Sequence, residues 1–542
     1  MKLPIEIRAR LAEPDDYPPH VIEHEGQKLY PIPREIPGNL MMVPNPEYDQ
    51  APIRFIYHQP LTPTMTPQPQ PTLNELLRQA GKILADIPPA ESPVQTVSEY
   101  CIPKLGPISR ENTIAIRQMI AAKNRVDIPP GVWPISNDIR AAKGTRIAGL
   151  GPRHSKPALY LDPASPEIAK RRDAKCWFSL IQSNAAPGEF TPLVGDVYGL
   201  PYGTAEGASV SNLRLSGSFN AITNPCTIAG IALEGTAIDV RCVDLEGFAK
   251  GLAGGECFPV RIFAPRIPGD YGPSSIIDCR LINVGNANNL HRGLAGEEIT
   301  VFSVVGSPEC QIQSPRIERC TADGIRRNKQ QPSPIQVFHM ANCRDAILRD
   351  CVVADSDATG FYVDSGTSIN TRILGNTFRN IHRGVVVNGA RTEEMTIAGN
   401  NISTYWGSDV SWNPDCPPAC VLFRAPGGTK PIIDRAYIYA NAILGGAPIG
   451  TQAFFPRGIY VEAQDKVHVR DIQVFNNIIE VARVGADPRY YSPIMPNQLS
   501  IYFAFTYAWH NRAIQAWNNR SQTGVIPKIT VVDSQYKPVS YI

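Results

Sequence analysis

The chain has no run of apolar residues as long as the roughly 18 that a membrane-spanning helix needs, so no membrane span is expected. Residues 1–8 lack the apolar stretch of a secretory signal peptide, and we expect a protein that is not exported by that route. Charge of one sign is also scarce, since the net charge is +2 over 542 residues. This balance disfavours a nucleic acid or another polyanion as the ligand.

Disulfide and metal patterns are missing as well. Twelve cysteines in a chain of this length do not make a disulfide framework, although Cys416 and Cys420 are spaced for a local bridge. No Cys-x-x-Cys pair or Cys/His cluster has the spacing of a zinc site, and we expect no metal and no other cofactor. Four cysteines are expected to be buried thiols in or near the repeat described next: Cys242, Cys279, Cys320 and Cys351.

A short pattern recurs through the middle of the chain: an apolar residue, two residues of any type, Cys or Asn, one more residue, and an apolar or small residue. Seven segments carry it: Ile276–Leu281, Ile317–Ala322, Leu348–Val353, Ile373–Phe378, Ile397–Ile402, Ile438–Ile443 and Val474–Ile479. Their Cys or Asn positions are 24 to 41 residues apart, which is typical of a solenoid.

Stacking explains this repeat physically. One coil cannot bury its own alternating apolar residues, whereas a stack of coils can. An Asn at a fixed corner bonds to its copies through side-chain amides, and Cys fills the same small site as a compact apolar group. A β-sandwich is the alternative, but its strands recur at about 8–12 residues without a repeated corner residue. We therefore predict a parallel β-helix, with the repeat running from about Ser211 to Ala482.

The start of the stack has its own motif. Residues 109–122 read as a capped amphipathic helix that covers the open end of the first coil. A strand then leads into the turn Pro129-Pro130-Gly131 and on to Trp133, and a Gly-x-Gly turn follows at residues 149–151.

This order of helix, Pro-Pro-Gly-x-Trp and Gly-x-Gly resembles the beginning of the pectate-lyase-like right-handed β-helix superfamily. In bacteriophage tailspikes and tail-fibre depolymerases, that module follows an N-terminal virion-anchoring region. The resemblance covers residues 100–482 and is more specific for fold than for activity. The motifs of the polygalacturonase branch are missing from the coils, which disfavours a plain pectinase.

We predict four parts from this organisation. Residues 1–60 form a virion-attachment region, either a small β-rich domain or an extended arm, and residues 61–100 hold a Pro-rich linker and a short neck helix over 73–86. The apolar stripe of that helix packs on its own domain or associates with other copies. Residues 101–482 are the right-handed parallel β-helix, and residues 483–542 are a C-terminal cap or subunit contact.

Carboxylates cluster in one coil. Hydrolysis of a polysaccharide needs two carboxyl groups about the glycosidic bond, whereas a lyase needs a base and neutralisation of a uronate carboxylate. Asp355, Asp357 and Asp364 are the catalytic candidates, and Asp355 and Asp357 share a side if their segment is extended. His382 and Arg383, one coil later, are candidates for binding substrate. Asp is also favoured in turns, so a purely structural role stands beside this one.

Two further sets of residues were considered. Tyr405, Trp406 and Trp412 begin the long connection 403–433, where aromatic rings could stack on sugars or pack on the coil. Glu297 and Glu298 form a second carboxylate pair in another connection.

The resemblance implies a phage tailspike or tail-fibre protein, localised in the virion, assembled in the host cytoplasm and built as a homotrimer. Its partners would be a host-surface glycan and, through the N-terminus, other tail or baseplate proteins. Enzymatic degradation of the glycan is the first hypothesis. A non-catalytic receptor-binding or structural spike is the second, and a cellular β-helix polysaccharide lyase or epimerase is the third.

Overall fold

The computed structural model describes part of the chain in two units, Met1–Thr96 and Val97–Ile542. The residues whose backbone it describes are 10–11, 22–24, 27–30, 40–44, 53–57, 99–102, 105–136, 138–162, 164–166, 177–183, 205–216, 227–248, 257–264, 269–282, 299–325, 335–364, 366–388, 391–406, 419–425, 432–448, 457–463, 468–481, 499–505, 514–519 and 529–532.

The first unit contains two small antiparallel sheets. Arg10–Leu11, Gln27–Tyr30 and Ile22–His24 form one sheet in that order. Leu40–Pro44 and Ile53–Tyr57 pair to form the other. The predicted neck helix over 73–86 lies outside the described residues.

One helix covers the start of the second unit. It spans Ser109–Lys123 and buries Ile116 and Ile120 against the first coil. The predicted cap is wrong, because the N-cap position is Ile108, which has no capping side chain. Ser109 is the first helical residue, and its hydroxyl donates to Asp162 Oδ2 at 2.8 Å.

The predicted Pro-Pro-Gly turn joins the first two strands of the stack, Arg125–Ile128 and Val132–Ile135. Gly131 has a φ of +139°, and a Cβ there would collide with the ring of Trp133. The Trp133 indole N–H donates to the carbonyl of Pro129 at 2.8 Å, which closes the turn.

The remaining strands form a right-handed parallel β-helix with three faces. Face A contains Arg125–Ile128, Arg146–Gly149, Ser209–Ser211, Asp239–Arg241, Ser275–Ile277, Arg316–Glu318, Ile347–Arg349, Arg372–Leu374, Arg391–Ala398, Ile432–Tyr439, His468–Phe475 and Ile514–Trp517, with the short strands Gly269–Tyr271, Cys310–Gln313, Cys343–Arg344 and Thr367–Ile369 extending it. Face B contains Val132–Ile135, Ala158–Leu161, Arg214–Ser216, Asp244–Glu246, Arg280–Ile282, Thr321–Asp323, Asn401–Trp406, Ala442–Pro448 and Ile478–Val481.

Face C completes each coil. It contains Ile139–Ala141, Trp177–Ser183, Thr227–Glu234, Cys257–Phe263, Ile299–Val305, Ile335–Ala341, Ala419–Ala425, Arg457–Ala463, Leu499–Phe505 and Ile529–Val532. Two long strands, Val352–Asp364 and Thr377–Asn388, run from face B into face C. Every strand pair within the three faces is parallel, which excludes the β-sandwich and confirms the predicted fold.

The described strands make twelve coils, numbered here from the helix. Their ranges are 125–141, 146–183, 209–234, 239–263, 269–305, 310–341, 343–364, 367–388, 391–425, 432–463, 468–505 and 514–532. The core fills the inside of this stack with ladders of apolar side chains. For example, the rings of Phe302 and Phe338 in coils 5 and 6 stack with centroids 5.7 Å apart.

The stack continues beyond residue 482. Leu499–Phe505 pairs in parallel with Arg457–Ala463, and Ile529–Val532 pairs in turn with Leu499–Phe505. The boundary predicted at 482 therefore falls within the stack and not at its end. In the part of the chain described here, no helix is both long enough and apolar enough to span a membrane.

Faces A and B meet at a turn of one residue, which has a positive φ in ten consecutive coils. These residues are Asn212, Cys242, Asp278, Arg319, Asp350, Gly375, Gly399, Ala440, Asn476 and Asn518. The next residue points into the corner, and there the predicted Cys and Asn positions lie. Cys242 corrects the prediction of a buried thiol, because it is the half-buried turn residue and Val243 fills the corner.

Five asparagines form the upper part of this corner. In Asn376, Asn400, Asn441 and Asn477, each side-chain Nδ2 donates to the Oδ1 of the next asparagine at 2.9 Å, and the series ends at Asn519. Below them the backbone N–H of Cys351 donates to Asn376 Oδ1 at 2.9 Å. The backbone N–H of Cys320 donates to Cys351 Sγ at 3.4 Å. The predicted corner is thus one continuous ladder with two chemistries.

We expect Asn400→Ala to lower the free energy of unfolding by about 2–4 kcal/mol, because it leaves buried donors and acceptors of both neighbouring coils without their partner. Urea unfolding followed by circular dichroism measures this change. Asn401→Ala is the matched control, since Asn401 is exposed one residue further on. Equal effects of the two substitutions would show that the ladder adds no special stability.

Cysteine alkylation tests the burial of the thiols. Burial raises the pKa of the Cys420 thiol to about 12 and also raises the pKa of Cys343, so neither forms a thiolate at pH values near 8. We expect iodoacetamide to label the half-buried Cys242 in the folded protein and to label Cys343 and Cys420 only after unfolding. Mass spectrometry of the digested protein reads out each site, and early labelling of Cys343 would contradict this burial.

Candidate functional site

The candidate site lies where coil 7 turns from face B into face C. The chain is not extended throughout this segment, because Asp355 has a φ of +48° and the pairing with coil 8 shifts register between Ser356 and Thr359. Ser356 stabilises the irregularity from inside. Its buried hydroxyl donates to the carbonyl of Ala354 at 2.6 Å and accepts the backbone N–H of Ile325 at 3.1 Å.

Asp355 acts in this turn. Its carboxylate accepts a hydrogen bond from Arg379 Nη2 at 3.0 Å and another from Asn380 Nδ2 at 2.7 Å. Asn380 has the same positive φ in coil 8, so the two turns stack. The side chains of Arg379 and Asp355 are 63% and 43% exposed. These contacts describe a surface turn and match the structural role considered above.

Asp357 has different surroundings. Ala358 and Ile381 belong to the core, so their neighbours Asp357 and His382 lie on the outer side of the coils. The Asp357 Oδ1 and His382 Nε2 atoms are 3.9 Å apart. The two side chains are only 22% and 6% exposed. Arg383 follows His382 and is in register with Thr359. The structure therefore brings together Asp357, His382 and Arg383 from the predicted set.

A second group of polar residues continues the site across face C. Ser303, His339 and Tyr362 occupy one outward position in coils 5, 6 and 7. The rings of His339 and Tyr362 have centroids 6.3 Å apart, and Asn388 Nδ2 donates to Tyr362 Oη at 3.3 Å. His339 is buried, while Tyr362 is partly exposed.

Sequence reasoning missed Ser303, His339, Tyr362 and Asn388. The first three alternate with core residues of the same strands, which is the signal that could have shown them to be outward-facing. They share no motif, and only the stacking of four separate strands brings them side by side.

The other predicted residues are placed less fully. Asp364 is in register with Asn388, and Trp406 is in register with Pro448. Tyr405 also lies in the strand Asn401–Trp406. Trp412, Glu297 and Glu298 lie outside the described residues. Cys420 is a free thiol next to Thr404, with Sγ 3.4 Å from Oγ1, so the local bridge to Cys416 is not formed.

The arrangement offers acid–base and hydrogen-bonding chemistry. A carboxylate and an imidazole can exchange protons with a ligand, and the phenol of Tyr362 and the amide of Asn388 can bond to hydroxyl groups. Over the residues that the structure describes, no three His, Cys, Asp or Glu side chains gather as a metal site would require.

No family model and no curated protein matches the chain. Among solved structures, the A-module of a mannuronan C-5 epimerase of Azotobacter vinelandii is similar, with 13% identity, a TM-score of 0.47 and coverage of 80% of this chain and 98% of that one. A surface adhesin of Streptococcus pneumoniae has 9% identity and a TM-score of 0.44 over 82% and 95% of the two chains.

The tailspike protein of Escherichia coli bacteriophage HK620, solved in complex with a pentasaccharide, has 11% identity and a TM-score of 0.44. The match covers 80% of this chain and 64% of the tailspike. At these identities the comparisons concern the fold alone.

The contacts of Asp355 lead to a prediction. Because its ion pair with Arg379 is exposed, we expect Asp355→Ala to change the free energy of unfolding by no more than about 1 kcal/mol. Urea unfolding of the variant and the wild type measures the difference. A loss several times larger would mean that this turn is needed to hold coils 7 and 8 together.

Proposed function

We propose that face C of coils 6–8 binds a polysaccharide of the bacterial host surface and that the chain is a tailspike or tail-fibre protein of a bacteriophage. Asp357 and His382 cleave the bound glycan. The observation that carries this proposal is the Asp357–His382 pair, largely shielded from water on the outer side of a rigid stack. Polar residues of the neighbouring coils lie alongside it.

The geometry of the solenoid supports binding of a long polymer. Parallel coils repeat at about 4.8 Å, so outward side chains of coils 5 to 8 form a straight, regularly spaced row. Tyr362 supplies an aromatic ring and a hydroxyl group, and Asn388 supplies an amide. A sugar chain offers both C–H faces and hydroxyl groups, which such a row can contact along its length.

Cleavage is proposed on the chemistry of the pair. With His382 as the base, Arg383 is placed one residue away to neutralise a uronate carboxylate, as elimination requires. With Asp357 as the proton donor, hydrolysis needs a second carboxylate. Asp355 is engaged with Arg379 and Asn380, so it is poorly suited to that role. The geometry therefore favours elimination from an acidic glycan.

The viral assignment is supported by the sequence. The Pro-rich segment 61–71 and the helix predicted over 73–86 have the order of a tether and a neck between an attachment region and a β-helix. We propose that residues 1–60 bind other tail or baseplate proteins and that the chain forms a homotrimer.

The test is digestion of purified bacterial capsular polysaccharides and O-antigens. We expect the wild type to release reducing ends together with the ultraviolet absorbance of an unsaturated uronate. Asp357→Asn and His382→Gln should each lower the initial rate about 100-fold or more, because each removes a proton-transfer group. Binding of the intact glycan, measured by surface plasmon resonance, should persist in both variants.

Asp355→Asn is the matched control and should retain the wild-type rate. Reducing ends without the absorbance would identify hydrolysis instead of elimination. Binding without any cleavage by the wild type would leave a receptor-binding spike. Neither binding nor cleavage across the whole panel would overturn the proposed site.

A further inference from the structure

The outer surface of face A changes character along the stack. Two outward positions repeat in every coil, one on each side of an inward apolar residue. In coils 4, 6, 7 and 8 at least one of these positions is charged: Asp239 and Arg241, Arg316 and Glu318, Arg349, and Arg372. Some of these charges pair between coils, as Arg349 Nη2 does with Glu318 Oε2 at 3.2 Å. This part of face A is an ordinary solvated surface.

From coil 9 onwards the same two positions carry no charge in the described coils. They are occupied by Thr396 and Ala398, Tyr437 and Tyr439, Gln473 and Phe475, and Gln515 and Trp517. The adjoining turn residues also lose their charge after coil 7: Gly375, Gly399, Ala440, Asn476 and Asn518. Four successive coils without an outward charge contrast with the four charged coils below them.

Three aromatic rings form the centre of this surface. The rings of Tyr439 and Phe475 stack with centroids 5.0 Å apart and planes 9° apart. Those of Phe475 and Trp517 stack at 4.6 Å and 3°. Trp517 is 38% exposed, which is unusual for so large an apolar side chain on a solvated sheet. We call Tyr437, Tyr439, Gln473, Phe475 and Trp517 the aromatic strip.

Charges return at the border of face A that lies away from the corner with face B. Glu394 and Arg435 form an ion pair there. Asp471 accepts a hydrogen bond from Gln473 Nε2 at 2.8 Å. An uncharged aromatic centre beside a charged border is the composition of a protein–protein interface, where charge is depleted in the middle and aromatic residues are enriched.

We propose that the aromatic strip is the contact between copies of this chain, packed side by side along the corner of faces A and B. Its rings repeat at the spacing of the coils, and a second copy has that same spacing, so ring can meet ring at every level. The amide of Gln473 and the hydroxyl of Tyr437 each donate and accept, which allows two identical surfaces to bond to each other. A strip of like charges could not do so.

This proposal does not depend on the glycan site, and its test is separate. Sedimentation equilibrium of the full-length protein should give a multiple of the mass of one chain. Phe475→Arg places a charge at the centre of the strip, and we expect it to shift the mass to that of a single chain at micromolar concentration. Ile347→Arg is the matched control, since Ile347 is an outward position of face A in coil 7, and it should keep the wild-type mass.

Trp517→Arg is the second variant, and its exposed position makes it the safer choice for folding. Far-ultraviolet circular dichroism confirms that each variant keeps its β structure. A single-chain mass for the wild type would overturn the proposed contact together with the homotrimer. A wild-type mass for both folded strip variants would overturn the contact alone and place the assembly interface elsewhere.

Discussion

Each coil passes from face A to face B through one residue with a positive φ, and the side chain that follows must fit a closed corner. A residue in that conformation costs free energy unless it is Gly or a residue such as Asn or Asp. The corner ladder offsets the cost, because Asn400 and its neighbours satisfy one another and the carbonyls around them. With this corner fixed, the register of all three faces follows, and so does the placing of every outward side chain.

The candidate site depends on that register. Asp357 and His382 approach each other because the long strands of coils 7 and 8 shift their pairing after Ser356, while the corner below keeps the two coils in step. Tyr362 and Asn388 then fall beside them by the ordinary alternation of a strand. The aromatic strip arises in the same way on another face, from residues that are far apart in the sequence.

Much of the fold could be predicted because the corner leaves a local mark. The Cys and Asn positions from Cys279 to Asn477 each sit in a six-residue pattern, and one chain suffices to see it. Val243 fills the same corner without that mark, so the sequence gave no reason to separate it from its neighbour Cys242. Asp355 and Asp357 are equally alike in sequence. Only the positive φ of Asp355 sends its carboxylate to Arg379 and leaves Asp357 near His382. Pairings between coils, such as His339 with Tyr362, have no sequence signature at all.

The asparagine corner also has a direction. Every amide from Asn376 to Asn477 donates toward the C-terminal end of the stack and accepts from the side of the helix. The dipoles of these amides are therefore aligned head to tail, and in a dry interior each polarises the next. The column gives the solenoid an electrical polarity along its axis, so the two ends of the rod are not equivalent even where their surfaces carry the same side chains.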